Sequence, residues 1–311
     1  MDRKSAKTPA RLVPIAAVER ETGLSKDTLR VWERRYGFPT PARDASGGRA
    51  YAPEQLERLR LIRRCMDLGL RPGRIVAAPV RELTAHLARH DGAAADSGAP
   101  AALPEALQLL KAGRVADLRE HLVQSLLRLG VQRFLAETIT PLNEAVGRAW
   151  LRGEIAIHEE HVYSEQVAQL LRQAIGPATH PAATPRVLLT TLPGEEHQLG
   201  LLMAQAWLVV EGANCISLGV QTPASDIASA ARAYRADIVG LSFSAARQPR
   251  AAATAAAELR ARLDAGVALW VGGALWSRVR RPPPGLTVLT ALADIGHALT
   301  AWRTRHSSEA A

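Results

Sequence analysis

The chain is poor in the residues that would build a disulfide framework or a thiolate metal site. Its 311 residues include only two cysteines, Cys65 and Cys215, which are far apart and form no Cys-x-x-Cys pair. Disulfide-stapled scaffolds and structural zinc sites both need several closely spaced cysteines. The sequence therefore predicts neither of these classes.

Long apolar segments are also missing. A membrane-spanning helix requires a run of about 18 apolar residues, and no such run occurs. The first residues, Met1–Ser5, lack the apolar segment of a signal peptide. We expect a cytoplasmic protein with no membrane part, whose 47% apolar content can fill the cores of two or three domains.

Positive charge is concentrated in the first quarter of the chain. Residues 1–80 hold 17 Lys and Arg against 9 Asp and Glu, whereas the net charge of the whole chain is +9. A local excess of arginine beside a near-neutral remainder is typical of a polyanion-binding module joined to other domains. A solvated basic face would give the same count, so the motifs within the region must decide.

A helix-turn-helix is predicted near the start of this basic region. Residues 22–37 read TGLSKDTLRVWERRYG, in which a glycine turn separates a short helix from a second helix capped by Ser25. Val18, Leu24, Leu29 and Trp32 would pack between the two helices. The arginines of the second helix would then face phosphates or base edges of DNA.

A wing and two more helices are expected to follow. Residues 43–51, with the pair Gly47-Gly48, predict a tight hairpin, and helices are predicted at 53–68 and 72–76. The whole order resembles the winged helix-turn-helix of MerR regulators over residues 11–78, matched as TGLSxxTLRxWERRYG, PxR and GGRAY. The resemblance implies a DNA-binding domain over 1–80. The residues expected to contact DNA are Lys26, Thr28, Arg30, Arg34, Arg35, Tyr36, Arg43, Arg49 and Tyr51.

The middle of the chain is predicted to be a flexible linker followed by a helical bundle. Small residues between Asp91 and Pro100 favour a linker, which we assign to 81–103. Leu118, Leu122 and Leu126 recur at four-residue spacing, and helices are expected near 104–112, 114–129, 131–151 and 156–175. A four-helix bundle over 104–180 is therefore predicted.

Strand and helix patterns alternate in residues 181–311. Apolar runs at 187–192, 215–219, 238–245, 267–273 and 286–290 are separated by helical patterns near 199–212, 223–236, 250–265 and 291–304. Such alternation predicts a Rossmann-like open parallel sheet that binds ligands at the carboxyl ends of its strands. The predicted fold class is thus multidomain, α and α/β.

The first of these strands leads into the sequence EEHQLG at 195–200. Glu195 can accept the imidazole N–H of His197 that a metal does not use, and Gly200 lets a bulky ligand approach the backbone. This E-x-H-x-x-G resembles the cobalt-ligating motif of cobalamin-binding Rossmann domains, in which histidine replaces the cofactor's own lower base. A phosphate loop is not indicated, because no Gly-Lys-Ser/Thr sequence follows Gly194.

Two later motifs extend this resemblance. Ser242 matches the S-x-L of the family after the third strand, although Ser244 stands where leucine is usual. Gly272 and Gly273 match the G-G pair after the fourth strand, which would let a nucleotide tail lie against bare backbone. The resemblance implies cobalamin binding, with His197 as the lower ligand of cobalt.

A tryptophan in the bundle carries a further resemblance. Trp150 alone would be interpreted as a core residue, but Glu160-His161 follows it after nine residues. This W-x9-E-H is similar to the cap bundle of CarH/LitR-type regulators, which implies that Trp150 covers the upper face of the corrin while Glu160 and His161 help to enclose it. Leu151 stands where light-sensing members have a histidine that can ligate cobalt. A bis-histidine adduct would need another donor, such as His158 or His161.

The domain order resembles that of CarH/LitR-type transcriptional repressors and implies a regulator rather than an enzyme. We expect a homo-oligomer, such as a tetramer, that binds double-stranded operator DNA with adenosylcobalamin and releases it on illumination. Two alternatives remain. One is a regulator that responds to cobalamin or another chromophore without the light adduct, and the other is a corrinoid carrier for methyl transfer, against which the DNA-binding head argues.

Overall fold

The structure, a computed structural model, describes residues 12–44, 47–67, 69–91, 102–176, 183–244 and 247–307. Two compact units are present, one formed by Met1–Ser97 with Trp150–Ile157 and the other by Gly98–Ala149 with His158–Ala311. Within the described residues, none of the helices combines the length and the apolar character needed to cross a membrane.

The first unit contains a small antiparallel sheet and a set of helices. The sheet has strand order β1-β3-β2 and comprises β1 (Val13–Pro14), β2 (Ala42–Arg43) and β3 (Arg49–Tyr51). The helices are α1 (Ile15–Thr22), α2 (Lys26–Tyr36), α3 (Pro53–Asp67), α4 (Pro72–Ile75) and α5 (Val80–Asp91). The predicted winged helix-turn-helix is therefore present, with β2 and β3 as the wing, and β1 adds a third strand that the sequence analysis did not predict.

Local signals set the limits of the helix-turn-helix. Gly23 ends α1 at φ +66°, and Gly37 ends α2 at φ +68°, a left-handed conformation that glycine adopts without strain. Ser25 begins α2, because its side chain accepts a hydrogen bond from the Thr28 backbone N–H at 3.1 Å. Val18, Leu24, Leu29 and Trp32 are buried between these helices, as predicted.

Helix α5 occupies part of the segment expected to be a linker. Leu83 and Leu87, one turn apart, are buried in the same apolar core as α3. Because this apolar face is buried, the chain stays helical to Asp91, and the prediction of a linker beginning at residue 81 was wrong. Residues 92–101 of the expected linker lie outside the described part of the chain.

The bundle helices, which belong to the second unit except for the residues of Trp150–Ile157, lie close to their predicted positions. They are α6 (Ala102–Lys111), α7 (Val115–Leu129), α8 (Val131–Phe134), α9 (Thr140–Arg152) and α10 (Ile157–Ile175). A π-helical turn, Leu135–Ile139, joins α8 to α9 within what was predicted as one helix. Pro141 follows this turn and has no N–H for the usual bond to the carbonyl four residues earlier, so the regular helix is interrupted here.

A five-stranded parallel sheet forms the rest of the second unit. Its strands are β4 (Arg186–Thr190), β5 (Asn214–Ser217), β6 (Ile238–Ser242), β7 (Ala268–Gly272) and β8 (Leu286–Leu289), in the order β5-β4-β6-β7-β8. Four helices alternate with them: α11 (Leu199–Val210), α12 (Ala224–Ala233), α13 (Pro249–Arg260) and α14 (Asp294–Ser307). The predicted Rossmann-like sheet is confirmed. Its strand order changes direction between β4 and β6, the point at which such sheets bind ligands.

The two faces of this sheet differ in how they are filled. On one face Leu188, Val239 and Val271 pack against buried residues of α12 and α13. On the opposite face the register places Leu189 beside Gly240 and Gly240 beside Trp270. The absence of a side chain at Gly240, in the middle of a central strand, leaves room for the Leu189 side chain, whose Cδ2 would lie 2.7 Å from a Cβ there.

Gly272 and Gly273 follow each other at the end of β7, but the backbone requires only the second to be glycine. A Cβ at Gly273, where φ is +115°, would lie 2.0 Å from the Phe243 carbonyl oxygen, whereas a Cβ at Gly272 would meet the Leu289 carbonyl oxygen at an ordinary 3.7 Å. We expect Gly273→Ala to lower the free energy of unfolding by roughly 3 kcal/mol and Gly272→Ala by less than about 1 kcal/mol. Thermal unfolding followed by circular dichroism measures both. Equal losses for the two variants would contradict the argument.

Candidate functional site

A cavity of about 550 Å³ lies in the second unit, on the face of the sheet that carries Leu189, Gly240 and Trp270. It extends inward from the carboxyl ends of β6 and β7, where Ser242 and Gly272 form part of its wall. Helix α11 contributes Gly200 and Met203, and the π-helical turn and α9 contribute a third wall. The cavity therefore lies where the strand pattern predicted a ligand, and its wall is mostly apolar.

Gly200, Gly240 and Gly272 line this cavity for different reasons. A Cβ at Gly200 would lie 2.7 Å from the Ser242 Oγ and a Cβ at Gly240 would lie 2.7 Å from the Leu189 Cδ2, so these two glycines allow close packing. The strand backbone would accept a side chain at Gly272, which would then project into the cavity. The backbone conformation at Gly272 therefore does not require glycine. The absence of a side chain there leaves space in the cavity.

Glu195 and His197 form a hydrogen-bonded pair in the loop after β4. The Glu195 side chain is buried, whereas 58% of the His197 side chain is exposed. The ring Nδ1 lies 2.6 Å from Glu195 Oε1, and a carboxylate oxygen accepts, so Nδ1 is the protonated nitrogen. This tautomer places the lone pair on Nε2, as in a metal-ligating imidazole oriented by a carboxylate.

Ser244 holds the second oxygen of the same carboxylate. Its backbone N–H and its hydroxyl each donate to Glu195 Oε2 at 2.9 Å. The loop after β6 therefore positions the acid that positions His197. In the sequence, Ser244 is only a departure from the leucine of the family pattern. Its contact with Glu195 could not be predicted, because two loops that are distant in sequence meet only in the folded sheet.

The loop that carries Glu195 is held in place by Thr191. The Thr191 hydroxyl donates to the Glu195 carbonyl oxygen at 2.7 Å and accepts the backbone N–H of Gln221 at 2.8 Å. The segments that follow β4, β5 and β6 are thereby joined by hydrogen bonds. The imidazole consequently projects from a rigid support rather than from a free loop.

The electrostatic state of Glu195 follows from these contacts. Burial raises the pKa of the Glu195 carboxyl, but the hydrogen bonds from His197 and Ser244 more than offset burial and leave its pKa below the ordinary value. The group is therefore an ionised acceptor near neutral pH. An ionised acceptor increases the basicity of the imidazole as a ligand.

The site is not built to hold a bare metal ion. Among the described residues there is no group of three or more His, Cys, Asp or Glu side chains that could coordinate one. Neither Glu195 nor His197 is among the residues that line the cavity, but Gly200, three residues after His197, is. A single oriented imidazole suits a metal that brings its other ligands with it, inside a bulky organic macrocycle.

Three contacts join the bundle helices to the sheet within the second unit. Gln132 donates to Glu211 Oε1 at 2.6 Å, and Arg172 donates to Gln198 Oε1 at 2.9 Å. Asn143 lies with its Nδ2 3.4 Å from the Met203 sulfur. Because Gln198 is next to His197 in sequence, Arg172 connects α10 to the segment that carries the imidazole.

The residues expected above the corrin do not line this cavity. Trp150 belongs to the first compact unit, where the Arg64 guanidinium lies 5.7 Å from its ring centroid. Glu160 and His161 are neighbours on α10, and the His161 Nδ1 lies 2.8 Å from Glu160 Oε2. Their assignment to the upper face of a cofactor stays a prediction.

The helix-turn-helix domain of the first unit, residues 12–91, is called the head here. It presents the expected cationic surface on α2. Arg30, Arg34 and Arg35 are exposed, and Arg30 is paired with Asp27 at 3.0 Å on the same helix. Because such an exposed ion pair is weak, the Arg30 guanidinium can exchange its contact with Asp27 for a contact with a DNA phosphate. Lys26 lies 3.4 Å from Glu19, Thr28 is part of the cap with Ser25, and Tyr36 lies beneath the Arg35 guanidinium.

The wing residues divide into exposed and internal groups. Arg43 is exposed and donates to the Gly47 carbonyl at 2.7 Å. The Arg49 Nε lies 2.9 Å from Glu33 Oε2, so this ion pair connects the wing to α2. Tyr51 is wholly buried in the core of the head. The expectation that Tyr51 contacts DNA was wrong, because its position on β3 faces inward.

The depressed pKa of Glu195 makes its contribution to stability dependent on pH. The folded-state pKa lies below the unfolded value of about 4.3, so the stabilisation is complete above that pH and is lost as the pH falls through the folded-state pKa. We expect Glu195→Gln to cost about 2 kcal/mol at pH 7 and progressively less as the pH falls below the unfolded value of about 4.3. Thermal unfolding of variant and wild type between pH 7 and pH 3 measures this difference. The control is Glu196→Gln at the exposed neighbouring position, and a Glu195→Gln cost independent of pH would contradict the assignment.

Comparisons with known proteins agree with both parts of this description. Residues 13–78 match the family of MerR-type HTH regulatory proteins, and residues 185–281 match the B12 binding domain. The monomethylamine corrinoid protein of Methanosarcina barkeri has a similar structure, with a TM-score of 0.50 and 15% identity, covering 63% of this chain and 96% of that one. At this identity, the likeness shows a shared fold.

Two curated relatives match most of the chain. The HTH-type transcriptional repressor CarH of Myxococcus xanthus is 32% identical over 263 residues, which is 81% of this chain and 85% of that repressor. The HTH-type transcriptional repressor CarA of the same organism is 31% identical over 244 residues, 76% of this chain and 77% of the relative. The chain therefore belongs to the CarH and CarA family of transcriptional repressors, which join a MerR-type helix-turn-helix to a B12-binding domain.

Proposed function

We propose that this protein is a light-responsive repressor that binds operator DNA as an oligomer when it holds adenosylcobalamin and releases the DNA on illumination. The observation that carries the proposal is an exposed imidazole, His197, oriented by the buried carboxylate of Glu195. This pair belongs to the same chain as a head with an exposed arginine surface. We further propose that the protein acts in the cytoplasm as a regulator without a catalytic step.

The chemistry of the site fits a corrinoid. His197 offers one nitrogen ligand, which is what a cobalt ion already held by a macrocycle still requires from below. The apolar cavity behind it can take a flexible tail that ends in a flat apolar ring. The open space at Gly272, which the backbone itself does not demand, supports an occupant of this kind.

Several residues would hold the cofactor together. His197 would ligate cobalt, Glu195 and Ser244 would fix its ring, and Gly200, Ser242, Gly272 and Gly273 would border the tail. When bound, adenosylcobalamin supplies a cobalt–carbon bond that light can cleave. The chain's own part is to orient the ligand and to exclude water from it.

Control of DNA binding would follow from linkage. A ligand that binds the assembled state more tightly than the separate subunits favours assembly, and assembled heads gain affinity because the second head binds at raised effective concentration. Arg30, Arg34 and Arg35 of each head would then supply the contacts to DNA phosphates and base edges. Removal of the ligand's upper group would remove the differential stabilisation and release the DNA.

A second candidate function is favoured by one observation. Leu151 stands where the family resemblance places a cobalt-ligating histidine, and leucine has no donor atom. A regulator that responds to cobalamin, or to another chromophore, without a bis-histidine adduct would be consistent with this residue. A corrinoid carrier for methyl transfer is less well supported, because such a carrier has no use for a DNA-binding head.

The two regulators are separated by DNA retardation in the dark and after green light. The probe is a duplex selected from a random-sequence pool by the protein loaded with adenosylcobalamin in the dark. We expect the dark complex to bind this duplex at least tenfold more tightly than either the illuminated complex or the protein without corrinoid. Equal affinity in the dark and the light would favour the second candidate. Failure of the wild type to take up any corrinoid would contradict the first candidate and leave only the form of the second that responds to another chromophore.

Two variants should separate pigment uptake from DNA binding. We expect His197→Ala to weaken adenosylcobalamin uptake about tenfold or more, because a cobalt ligand is lost. Arg30→Ala combined with Arg34→Ala should instead abolish retardation and leave the absorption spectrum of the bound corrinoid unchanged. Absorption titration and retardation are measured for each protein.

Matched controls are available for both variants. His297→Ala removes an exposed histidine on α14, and Arg232→Ala with Arg262→Ala removes two exposed arginines outside the head. Neither control should alter either measurement. Wild-type uptake by His197→Ala would exclude His197 as an important ligand.

A further inference from the structure

Three arginines lie close together on the segment that leads from β7 to β8, and they are called the arginine loop here. Residues 265–293 contain no Asp, Glu, Lys or His, and their only charged residues are Arg278, Arg280 and Arg281. All three are exposed, and none of them lines the cavity described above. The chain beyond residue 80 carries a net charge of only +1, out of +9 for the whole protein. The arginine loop is therefore a local concentration of positive charge in a nearly neutral region.

The arginine loop is held in shape by the residues within and after it. The backbone at Val279 is extended, with φ −90° and ψ 98°, and its side chain packs against the apolar core beside the sheet. Because side chains alternate in direction along an extended backbone, Arg280 points away from the core that Val279 contacts. Three prolines follow at 282–284, and each proline ring fixes its own φ. The guanidinium groups are thus carried by a stiff segment.

The far end of this segment packs against the end of α13. Gly285 lies so close to Arg260 that an added Cβ would be 3.3 Å from the Arg260 Cδ. The Arg260 guanidinium donates to the carbonyl oxygens of Leu263 and Asp264 at 2.9 Å and 2.7 Å, so this arginine belongs to the fold itself.

Arg280 and Arg281 differ from Arg260 in this respect. Within the ranges that the structure describes, neither guanidinium has a hydrogen-bond or ion-pair partner. Exposed cations that the fold does not use for its own bonds remain available to an external anion. Guanidinium groups bind phosphate with two parallel hydrogen bonds, which makes phosphate a well-matched partner.

The number of charges favours a polyanion over a single small anion. Adjacent guanidinium groups on one stiff segment require several phosphates, and a DNA backbone supplies them at a regular spacing. The head of the same chain presents an exposed arginine surface to DNA in the proposed function. DNA held by the head would be present at a raised effective concentration for every other basic surface of the chain.

We propose that the arginine loop is a second DNA-binding surface, which contacts backbone phosphates while the head reads the operator. This inference rests on the proposed binding of operator DNA and extends it to a surface of the domain that would hold the cofactor. Phosphate contacts add affinity for every sequence alike, and they make the affinity depend on salt because counterions are released. The cofactor-binding domain thereby contributes directly to the affinity for DNA.

The test removes two of these charges from the full-length protein loaded with adenosylcobalamin in the dark. We expect Arg280→Ala combined with Arg281→Ala to weaken binding of the selected duplex about tenfold at about 0.1 M salt. The slope of log affinity against log salt concentration should become less steep by about 2. An unrelated duplex of the same length should lose affinity by the same factor, since phosphates carry no sequence information. Retardation at several salt concentrations measures all three quantities.

A matched control removes the same amount of charge elsewhere in the second unit. Arg128→Ala combined with Arg232→Ala deletes two exposed arginines, one on α7 and one on α12, and should change neither the affinity nor the slope. Arg280→Lys combined with Arg281→Lys keeps the positive charge and should retain the wild-type slope. Circular dichroism checks that each variant is folded, and sedimentation velocity compares its oligomeric state with that of the wild type.

The possible outcomes separate this inference from the proposed function. Wild-type affinity and slope in the double alanine variant would overturn the arginine loop as a DNA-binding surface. A variant that binds DNA more weakly because its oligomeric state has changed would also overturn it and would assign the loop to an interface between copies of this chain. Failure of the wild type to bind any duplex would overturn the proposed function together with this inference.

Discussion

The buried carboxylate of Glu195 is the group around which the candidate site is organised. One oxygen holds the Nδ1 of His197, and the other accepts two hydrogen bonds from Ser244, so loops that follow two neighbouring strands meet at a single ion. An ionised carboxyl in a buried position is stable only when such donors surround it. The same contacts that keep Glu195 charged therefore give His197 one tautomer and one orientation.

The parallel sheet explains why this arrangement can exist beside a cavity. Parallel strands end at one edge, so residues that are about 50 positions apart in sequence meet there, as Glu195 and Ser244 do. Below that edge, glycines at positions 240 and 272 remove side chains from the face opposite α12 and α13. The sheet thus combines a rigid support for an imidazole with an apolar cavity whose wall includes Gly200, three residues after His197. These are the two properties that a metal held in a large macrocycle requires.

Much of the fold could be predicted from sequence pattern, because its elements have strong local signals. Ser25 marks the start of α2 in the sequence as it does in the structure, and every predicted strand of the α/β domain is present within a few residues. The errors occurred where long-range packing overrides local composition. Leu83 and Leu87 keep α5 helical inside the expected linker, and the inward position of Tyr51 on β3 removes it from the DNA-contacting surface.

The sequence by itself determined the domain order, the helix and strand pattern and the residue types at the site, since these depend on periodicity, caps and short motifs. Only the tertiary structure decided which residues from distant segments of the chain act on one another. It made Ser244 a hydrogen-bond donor to Glu195 and placed Trp270 in the cavity wall. It also showed that a side chain would fit at Gly272 but not at Gly273. The physical reason is that burial and hydrogen bonding between distant segments depend on strand register and sheet order, which no local pattern encodes.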